Sequence, residues 1–428
     1  MSQETVTPIE KLAEDFMHDP WELYARFRED GPAREVVMPH GVKVWLVTRY
    51  DDVRMLLADP RISKDGHRVN EMFAKHSGAP APEPATAETA ETGEKPEEPE
   101  EPSGGGFDDD LTAHMLNTDP PVHTRLRKLV GAAFTTQRVE RLKPRIRQIA
   151  DELLARMAGR DKVELVDEYA APLSSTVIAE LIGVPESDRT PFRDWVNTLV
   201  GSGHSAEEVE NASAQVIAYS EKLIAMKRES PGEDLLSALV QASDDGDRLT
   251  KGELVAMMFI LVVAGHETTM NMLGNGTYSL LKHPDQLHLL LSEPSLMHDA
   301  VEELLRYDGA VSLGTFRFTT EEIALDGLTI PAGEILALSL GSANRDPAKF
   351  PDPDRLDIAR KLTGNLAFGH GVHRCVGAPL GRVLVEIGLD RLLRTYPRLE
   401  LAGTPQELAW KNSTLMHGLV TLPLRMND

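Results

Sequence analysis

Apolar residues recur every three or four positions over most of the chain, which is the spacing of helices that bury one face. It predicts helices at residues 21–29, 50–57, 122–134, 139–157, 205–227, 251–281 and 296–307. Residues 42–48 alternate as a strand does, and residues 315–334 have the turns of a hairpin. The pattern therefore predicts a mainly α protein with a minor β portion.

One stretch does not fit a compact fold. Residues 79–106 consist largely of Glu, Pro, Ala and Gly, with no aromatic or branched aliphatic side chain. Such a segment buries too little apolar surface to offset its ordering entropy. We expect a disordered, acidic, low-complexity insertion in a surface loop of a single domain spanning residues 1–428. A lid or a docking tether is the alternative.

Charge and composition restrict the function classes. Lys and Arg number 45 against 68 Asp and Glu, a net charge of −23, which argues against a nucleic-acid partner. No apolar run approaches the roughly 18 residues of a membrane span, and the N-terminus has no secretory pattern. One cysteine excludes an intrachain disulfide and a multi-cysteine metal site. We expect a cytoplasmic protein without a membrane segment.

That cysteine, Cys375, lies in a glycine-rich stretch just before a helical pattern. Gly369, Gly371 and Gly377 flank it, and apolar residues recur at helical spacing from 380 to 393. Glycines let a backbone approach a flat cofactor closely. A thiolate just before a helix is stabilised by free N–H groups and by the positive end of the helix dipole. A lone buried cysteine is more often a small core residue, so the flanking pattern carries the interpretation.

Polar residues also interrupt the most apolar predicted helix. The pair Ala264-Gly265 precedes Glu267 and Thr268 near its middle. An acid beside a hydroxyl can pass protons, and small residues leave room for a small molecule beside the helix. A zinc-protease motif would need His at position 270, which is Met270. The alternative is a buried helix with incidental polar residues.

Both features resemble cytochromes P450. The cysteine stretch resembles the family's haem-binding loop, with every fixed position matched: Phe368, Gly369, Gly371, His373, Cys375 and Gly377. The resemblance implies the P450 fold, a triangular prism with a long central helix over the haem, and haem b as cofactor. It implies Cys375 as the iron ligand, Ala264 and Gly265 beside the haem, and Glu267 and Thr268 as the catalytic proton relay.

Charged residues elsewhere match further positions of the family. The resemblance implies that the haem propionates are bound by His123, Arg127, Arg317 and His373. It also implies a buried structural ion cluster behind the haem, formed by Glu303, Arg306 and Arg355. The likeness extends over nearly the whole chain, from about residue 21 to residue 424.

The closest resemblance is to soluble bacterial P450s that tailor secondary metabolites, especially macrolide hydroxylases. It implies a monooxygenase of antibiotic biosynthesis that hydroxylates or epoxidises a bulky apolar natural product. The segments expected around the substrate are residues 65–115, 310–313 and 413–417. The expected substrate contacts are Leu261, Val311, Leu313 and Leu415.

The chain leaves no room for a flavin or ferredoxin domain. Electrons are therefore expected from a separate ferredoxin and its NAD(P)H-dependent reductase, and the enzyme itself is expected to be a monomer. Four cations near the cysteine loop form a candidate docking patch: Arg125, Lys128, Arg374 and Arg382.

Three other functions stay open. A peroxygenase of the same fold would use peroxide, although such relatives typically lack an acid–alcohol pair. An oxidase that forms C–C or C–O bonds uses the same residues. A non-enzymatic haem-binding sensor is the third, and the intact pair Glu267-Thr268 argues against it.

Overall fold

The computed structural model describes residues 9–76, 109–200, 204–242 and 249–426. The expected insertion at residues 79–106 lies outside these ranges. The helices are α1 (Trp21–Asp30), α2 (Tyr50–Leu56), α3 (Gly66–His76), α4 (Asp109–Thr112), α5 (Val122–Ala133), α6 (Thr136–Met157), α7 (Ala171–Ile182), α8 (Arg189–Val200), α9 (Ala206–Glu229), α10 (Leu235–Ala242), α11 (Lys251–Lys282), α12 (Pro284–Ser292), α13 (Met297–Tyr307), α14 (Leu340–Asn344) and α15 (Ala378–Thr395). Every helix that the apolar spacing predicts is present.

The strands are short and lie mostly in one mixed sheet. They are β1 (Glu10–Lys11), β2 (Ala33–Val37), β3 (Lys43–Val47), β4 (Ile62–Ser63), β5 (Lys162–Glu164), β6 (Arg317–Thr319), β7 (Ile323–Leu325), β8 (Leu328–Ile330), β9 (Ile335–Leu338), β10 (Glu400–Leu401) and β11 (Pro423–Arg425). The main sheet has the order β1-β2-β3-β9-β6-β4, β10-β11-β5 form a second sheet, and β7-β8 form the predicted hairpin.

The hairpin turn shows why its residues were recognisable. Asp326 and Gly327 both have positive φ angles, 40° and 83°. A tight two-residue turn requires this conformation, and Asp-Gly adopts it readily. The mainly α fold with a smaller β portion is thus confirmed, and the strand at residues 42–48 is β3.

The long helix α11 is the centre of the helical part. Its N-terminus is closed by a capping box, in which Thr250 and Glu253 each bind the other's backbone N–H. With 32 residues it extends about 48 Å at 1.5 Å per residue. Most of its side chains are buried, against α7, α15 and α9 among others. This helix is long and apolar enough to span a bilayer, but its burial is that of a core helix.

A buried ion cluster joins α13 to the loop that follows α14. The side chains of Glu303 and Arg306 have no exposed surface, and Arg306 Nη2 lies 2.8 Å from Glu303 Oε1. The third cation is Arg360, whose Nε lies 3.2 Å from the same oxygen. Arg355, predicted for that role, contributes only its carbonyl oxygen, 3.3 Å from Arg306 Nη2.

The prediction of Arg355 as the third side chain was therefore wrong. The neighbouring Leu356 is buried, so the side chain of Arg355 points outward and is exposed. The spacing of charges along a loop cannot indicate which of two nearby arginines turns inward, because the loop has no regular period.

Replacing these two arginines distinguishes the alternatives. We expect Arg360→Met to lower the free energy of unfolding by about 2 kcal/mol, because part of the charge of the buried Glu303 then lacks compensation. Arg355→Met should change it by less than about 0.5 kcal/mol, as for an ordinary surface substitution. Urea unfolding followed by circular dichroism gives both values. Equal losses in the two variants would contradict the assignment.

Candidate active site

A cavity with 1640 Å³ of empty space, part of it continuous with solvent, lies between α11 and the cysteine loop. Cys375 is on one wall, and Ala264, Gly265 and Thr268 of α11 are also in the lining. The structure thus brings the two motifs of the sequence to one cavity. Most of the remaining lining is aliphatic, including Ile178, Leu181, Ile182, Ile260, Leu261, Met272 and Val311.

The cysteine loop owes its shape to two glycines with positive φ angles, Gly369 at 68° and Gly371 at 73°. A Cβ on Gly371 would lie 2.5 Å from the carbonyl oxygen of Leu57, so only glycine allows the loop to approach the end of α2 this closely. The backbone N–H of Cys375 donates to the carbonyl oxygen of Phe368 at 2.9 Å. This bond closes the loop and directs the sulfur into the cavity.

Opposing effects act on the Cys375 sulfur. Cys375 has surface exposed to the open cavity, but the protein atoms around its sulfur remove part of the hydration of a thiolate and so raise the pKa of the thiol. The backbone N–H groups of Gly377 and Ala378, at the start of α15, and the Arg127 and Arg374 guanidinium groups favour the thiolate. Burial dominates, so a further positive charge at the sulfur, such as a metal ion, is needed to deprotonate it fully near neutral pH.

The cavity wall on α11 holds the predicted hydroxyl. Thr268 Oγ1 donates to the carbonyl oxygen of Ala264 at 2.6 Å, within the helix. A Cβ on Gly265 would lie only 2.5 Å from Ile178 Cδ1. Because glycine has no Cβ, α7 and α11 can pack closely at this point. The carboxylate of Glu267, in contrast, is not among the described residues that line the cavity. It is bound to Lys411, with Nζ and Oε1 2.9 Å apart.

The four predicted anion-binding residues all line the cavity. His123 and Arg127 lie on α5, Arg317 begins β6, and His373 belongs to the cysteine loop. The imidazole rings of His123 and His373 are 4.2 Å apart. Burial lowers the pKa of Arg317 to about 10, because its charged form loses hydration there, although Asp119 opposes the shift. Burial also lowers the pKa of His373 to about 2, and the nearby Lys64 and Arg317 lower it further, so this ring is neutral.

Sequence reasoning missed a fifth cation, Lys64, which also lines the cavity. Its Nζ is buried without a hydrogen-bond partner in the described part of the chain, and the same holds for His123 Nδ1. Burial holds the pKa of Lys64 well below its ordinary value. Lys64 follows β4, which pairs antiparallel with β6, so it lies across from Arg317. The pairing of β4 with β6 would have indicated that Lys64 belongs to this group, but patterns in a single sequence do not reveal which strands pair.

Comparison with known proteins agrees with this arrangement. The family model described as Cytochrome P450 matches residues 163–425. The chain is 50% identical to Cytochrome P450 107B1 of Saccharopolyspora erythraea and 46% identical to the P450 monooxygenase PikC of Streptomyces venezuelae. These alignments cover 96% and 98% of the chain, and 96% and 94% of the relatives. The chain belongs to the cytochrome P450 family.

Solved structures give the same assignment. The tirandamycin C-bound P450 monooxygenase TamI superposes with a TM-score of 0.85 at 43% identity, covering 98% of this chain and all of that one. The protein is therefore a P450 monooxygenase by family. A further relative, 36% identical, is described as the polyketide biosynthesis cytochrome P450 PksS of Bacillus subtilis.

The family implies haem, and the residues of this P450 fit it. A haem iron would need a protein ligand in the cavity, and the Cys375 thiol lines it together with residues of α11. Haem also carries two carboxylates, and the buried Lys64 Nζ and His123 Nδ1, which lack a hydrogen-bond partner among the described residues, are polar atoms that these carboxylates would satisfy. Arg127, Arg317 and His373 would complete this cationic group.

Two of the four expected substrate contacts line the cavity, and the other two do not. Leu261 and Val311 line the cavity. Leu313 does not, because it is 1% exposed and packs with residues of α1, β2 and β3. Leu415 is not among the described lining residues either. Its carbonyl oxygen accepts from the N–H of Ser312 at 3.1 Å, so the 413–417 turn supports the wall behind the 310–313 segment.

Two residues of the expected docking patch have internal partners. Arg125 is bound to Glu253 at the start of α11, and Arg382 is bound to Glu302 and stacks on the Phe368 ring at 4.5 Å. Arg374 is exposed beside the cysteine loop. The exposed side chains of Val122 and Val372 are next in sequence to His123 and His373, whose rings contact each other at a tilt of 51°.

Removing the Lys64 charge tests the cationic group. We expect Lys64→Met to speed the loss of haem to an excess of apomyoglobin about 10- to 100-fold, because a charge-assisted hydrogen bond is worth roughly 1.5–3 kcal/mol. Lys75→Met is the control, since Lys75 is exposed and donates to the Gly333 carbonyl at 3.3 Å. Equal haem-transfer rates for the two variants would contradict the assignment.

Proposed function

We propose that this P450 inserts one atom of dioxygen into a bulky, largely apolar natural product, by hydroxylation or epoxidation, with Cys375 as the iron ligand. The observation that carries the proposal is the position of this thiol. It lies at the end of a glycine-shaped loop, at the start of a helix, in a cavity walled on the other side by Ala264, Gly265 and Thr268. A structural cysteine would pack against side chains instead of facing an open cavity.

Bound in this cavity, haem b would supply dioxygen activation and the oxidising step. Cys375 would hold the iron as thiolate, and the N–H groups of Gly377 and Ala378 would moderate the electron density on sulfur. Lys64, His123, Arg127, Arg317 and His373 would bind the propionates and so fix the plane of the ring.

Proton delivery is assigned to Thr268 and Glu267. The Thr268 hydroxyl lies in the cavity wall, and its proton now goes to the Ala264 carbonyl at 2.6 Å, which leaves the oxygen lone pairs available to accept another. Glu267 is the adjacent acid and is partly exposed, so it can exchange protons with water. Its side chain has to leave Lys411 to reach the hydroxyl.

The shape of the cavity supports a large apolar substrate. Much of its lining is aliphatic, including Leu261, Ile178, Leu181 and Val311. Relatives named mycinamicin IV hydroxylase/epoxidase and 6-deoxyerythronolide B hydroxylase are 39% and 38% identical to this chain. A macrolide or a related polyketide is the substrate class that we propose.

The electrons are proposed to come from a ferredoxin and its NAD(P)H-dependent reductase. The surface around the cysteine loop offers exposed Val122 and Val372 with the cations Arg374 and Lys128, which suits an acidic protein with an apolar contact at its centre. We propose that the enzyme acts in the cytoplasm as a monomer.

The axial ligand is tested by the spectrum of the ferrous carbonyl adduct. We expect the purified protein to give the red-shifted Soret band of thiolate ligation, and Cys375→His to give the band of a histidine-ligated globin. The physical reason is the electron donation of the anionic sulfur. A globin-like band in the unaltered protein would refute the proposal, and a failure to bind haemin at all would refute it also.

The substrate class is tested by spectral titration. We expect mycinamicin IV or 6-deoxyerythronolide B to shift the Soret band by displacing water from the iron. We expect Leu261→Phe to weaken the binding about tenfold or more, because it fills part of the cavity. Leu415→Phe is the control and should change the affinity less than about threefold. If neither macrolide nor any other polyketide shifts the band, the substrate class is wrong.

Bond formation between two parts of a substrate is the second candidate. One solved relative is described as a P450 for C–S bond formation in chuangxinmycin biosynthesis, at 34% identity and a TM-score of 0.82. The same residues would serve this reaction, in which the substrate loses two hydrogens and gains no oxygen. Product mass separates the two: a gain of one oxygen from labelled dioxygen indicates monooxygenation, and a loss of two hydrogens indicates coupling.

A further inference from the structure

The acid of the proposed relay is bound to a residue from a distant part of the chain. Lys411 Nζ lies 2.9 Å from Glu267 Oε1, and both side chains are about a quarter exposed, at 24% and 23%. Lys411 is near the C-terminus and belongs to none of the motifs. The pair is independent of the cysteine loop, and nothing in the sequence pattern connects the two residues.

The segment that carries Lys411 is itself firmly held. The N–H of Lys411 donates to the Gly418 carbonyl at 2.9 Å, and Trp410 pairs with Leu419 in an isolated bridge. These bonds make residues 410–419 a closed loop, which we call the C-terminal loop. These bonds hold the two ends of the loop together.

A buried ion pair anchors the C-terminal loop to α13. His417 Nε2 lies 3.0 Å from Asp308 Oδ1, and both side chains are buried. The His417 ring stacks on Trp410 with centroids 4.3 Å apart, and its Nδ1 lies 3.1 Å from the Met17 carbonyl oxygen. Asn275 of α11 donates to the His417 carbonyl at 2.9 Å. The loop is therefore tied to residues 17, 275 and 308 by contacts that do not involve Lys411.

The other side of the C-terminal loop supports the wall of the cavity. The N–H of His417 donates to the Ala310 carbonyl at 2.9 Å, the N–H of Ser312 donates to Leu415, and Val311 pairs with Met416. Ala310 and Val311 line the cavity. A molecule that presses on this wall therefore acts on the same loop that holds Lys411.

We propose that Lys411 is a positioning residue that holds the Glu267 carboxylate away from the cavity, and that substrate contact with Ala310 and Val311 loosens this hold through the C-terminal loop. This inference rests on the proposed role of Glu267 in proton delivery. A partly exposed ion pair is worth little free energy, so a small displacement suffices to open it. The ion pair therefore contributes little to stability but can open and close readily.

The role proposed for the Lys411–Glu267 ion pair can be tested without substrate. Without Lys411, Glu267 is free at all times, so protons reach the cavity even when it holds no substrate. We therefore expect the substrate-free enzyme to return to the ferric state faster after reduction by dithionite and mixing with oxygenated buffer. The predicted acceleration in Lys411→Met is threefold or more, measured from the Soret band by stopped flow.

Three variants of the holoenzyme make this result specific. Lys411→Arg keeps the charge and should stay within twofold of the unaltered protein. In the Glu267→Gln background, Lys411→Met should have no further effect, since there is no carboxylate to release. Arg394→Met opens an exposed ion pair with Asp390 on α15 and should leave the rate unchanged. An unchanged rate in Lys411→Met, or an acceleration that persists beside Glu267→Gln, overturns the proposal.

A second measurement does not depend on turnover. Hydrogen exchange of substrate-free holoenzyme, followed by mass spectrometry, should show unchanged exchange of amides in residues 410–419 in Lys411→Met, because backbone hydrogen bonds and the His417–Asp308 contact still hold the loop. Faster exchange in these residues would mean that the substitution disturbs the loop itself and would overturn the proposal. Faster exchange throughout the protein would indicate general destabilisation and would also overturn the proposal. Failure of the proposed function looks different: the ferrous carbonyl band would then be globin-like in every variant.

Discussion

The need to keep a sulfur anion inside a protein governs the rest of this structure. Removing an isolated charge from water costs several kcal/mol, so a buried thiolate exists only where other groups offset that cost. Around Cys375 the helix start of α15 and two arginines supply part of the compensation, and burial still outweighs them. The iron ion of haem, which the family implies, would supply the remaining positive charge. In this arrangement a bound metal ion would stabilise the thiolate, and the thiolate would hold the metal ion.

The parts that a single sequence could predict are those set by local chemistry. Gly371 is required by a close backbone approach, Thr250 and Glu253 cap a helix, and Asp326-Gly327 closes a hairpin, so each leaves a short pattern. Family resemblance added the residues that surround the haem. Both kinds of information lie within a few positions of each motif, and the structure places most of them as expected.

The parts that could not be predicted depend on pairing between distant segments. Arg360 instead of Arg355 faces Glu303 because of how an irregular loop turns. Lys64 reaches the cavity because β4 pairs with β6, and Lys411 meets α11 because the chain returns across it near its end. No local period encodes these contacts. Contacts of this kind place Lys64 in the cavity and Lys411 beside Glu267, so sequence patterns lose information where distant segments meet.

The cationic group has a further consequence for the life of the protein. Its members come from three separate elements, with Lys64 and Arg317 on the sheet, His123 and Arg127 on α5, and His373 on the cysteine loop. The charges of Lys64, Arg127 and Arg317 repel one another in the empty cavity, and the two carboxylates of haem would offset that repulsion. Cofactor binding would thus join the sheet to the helices. A cell short of iron would make chains that remain open at this junction and are cleared by proteases, so enzyme abundance would follow haem supply.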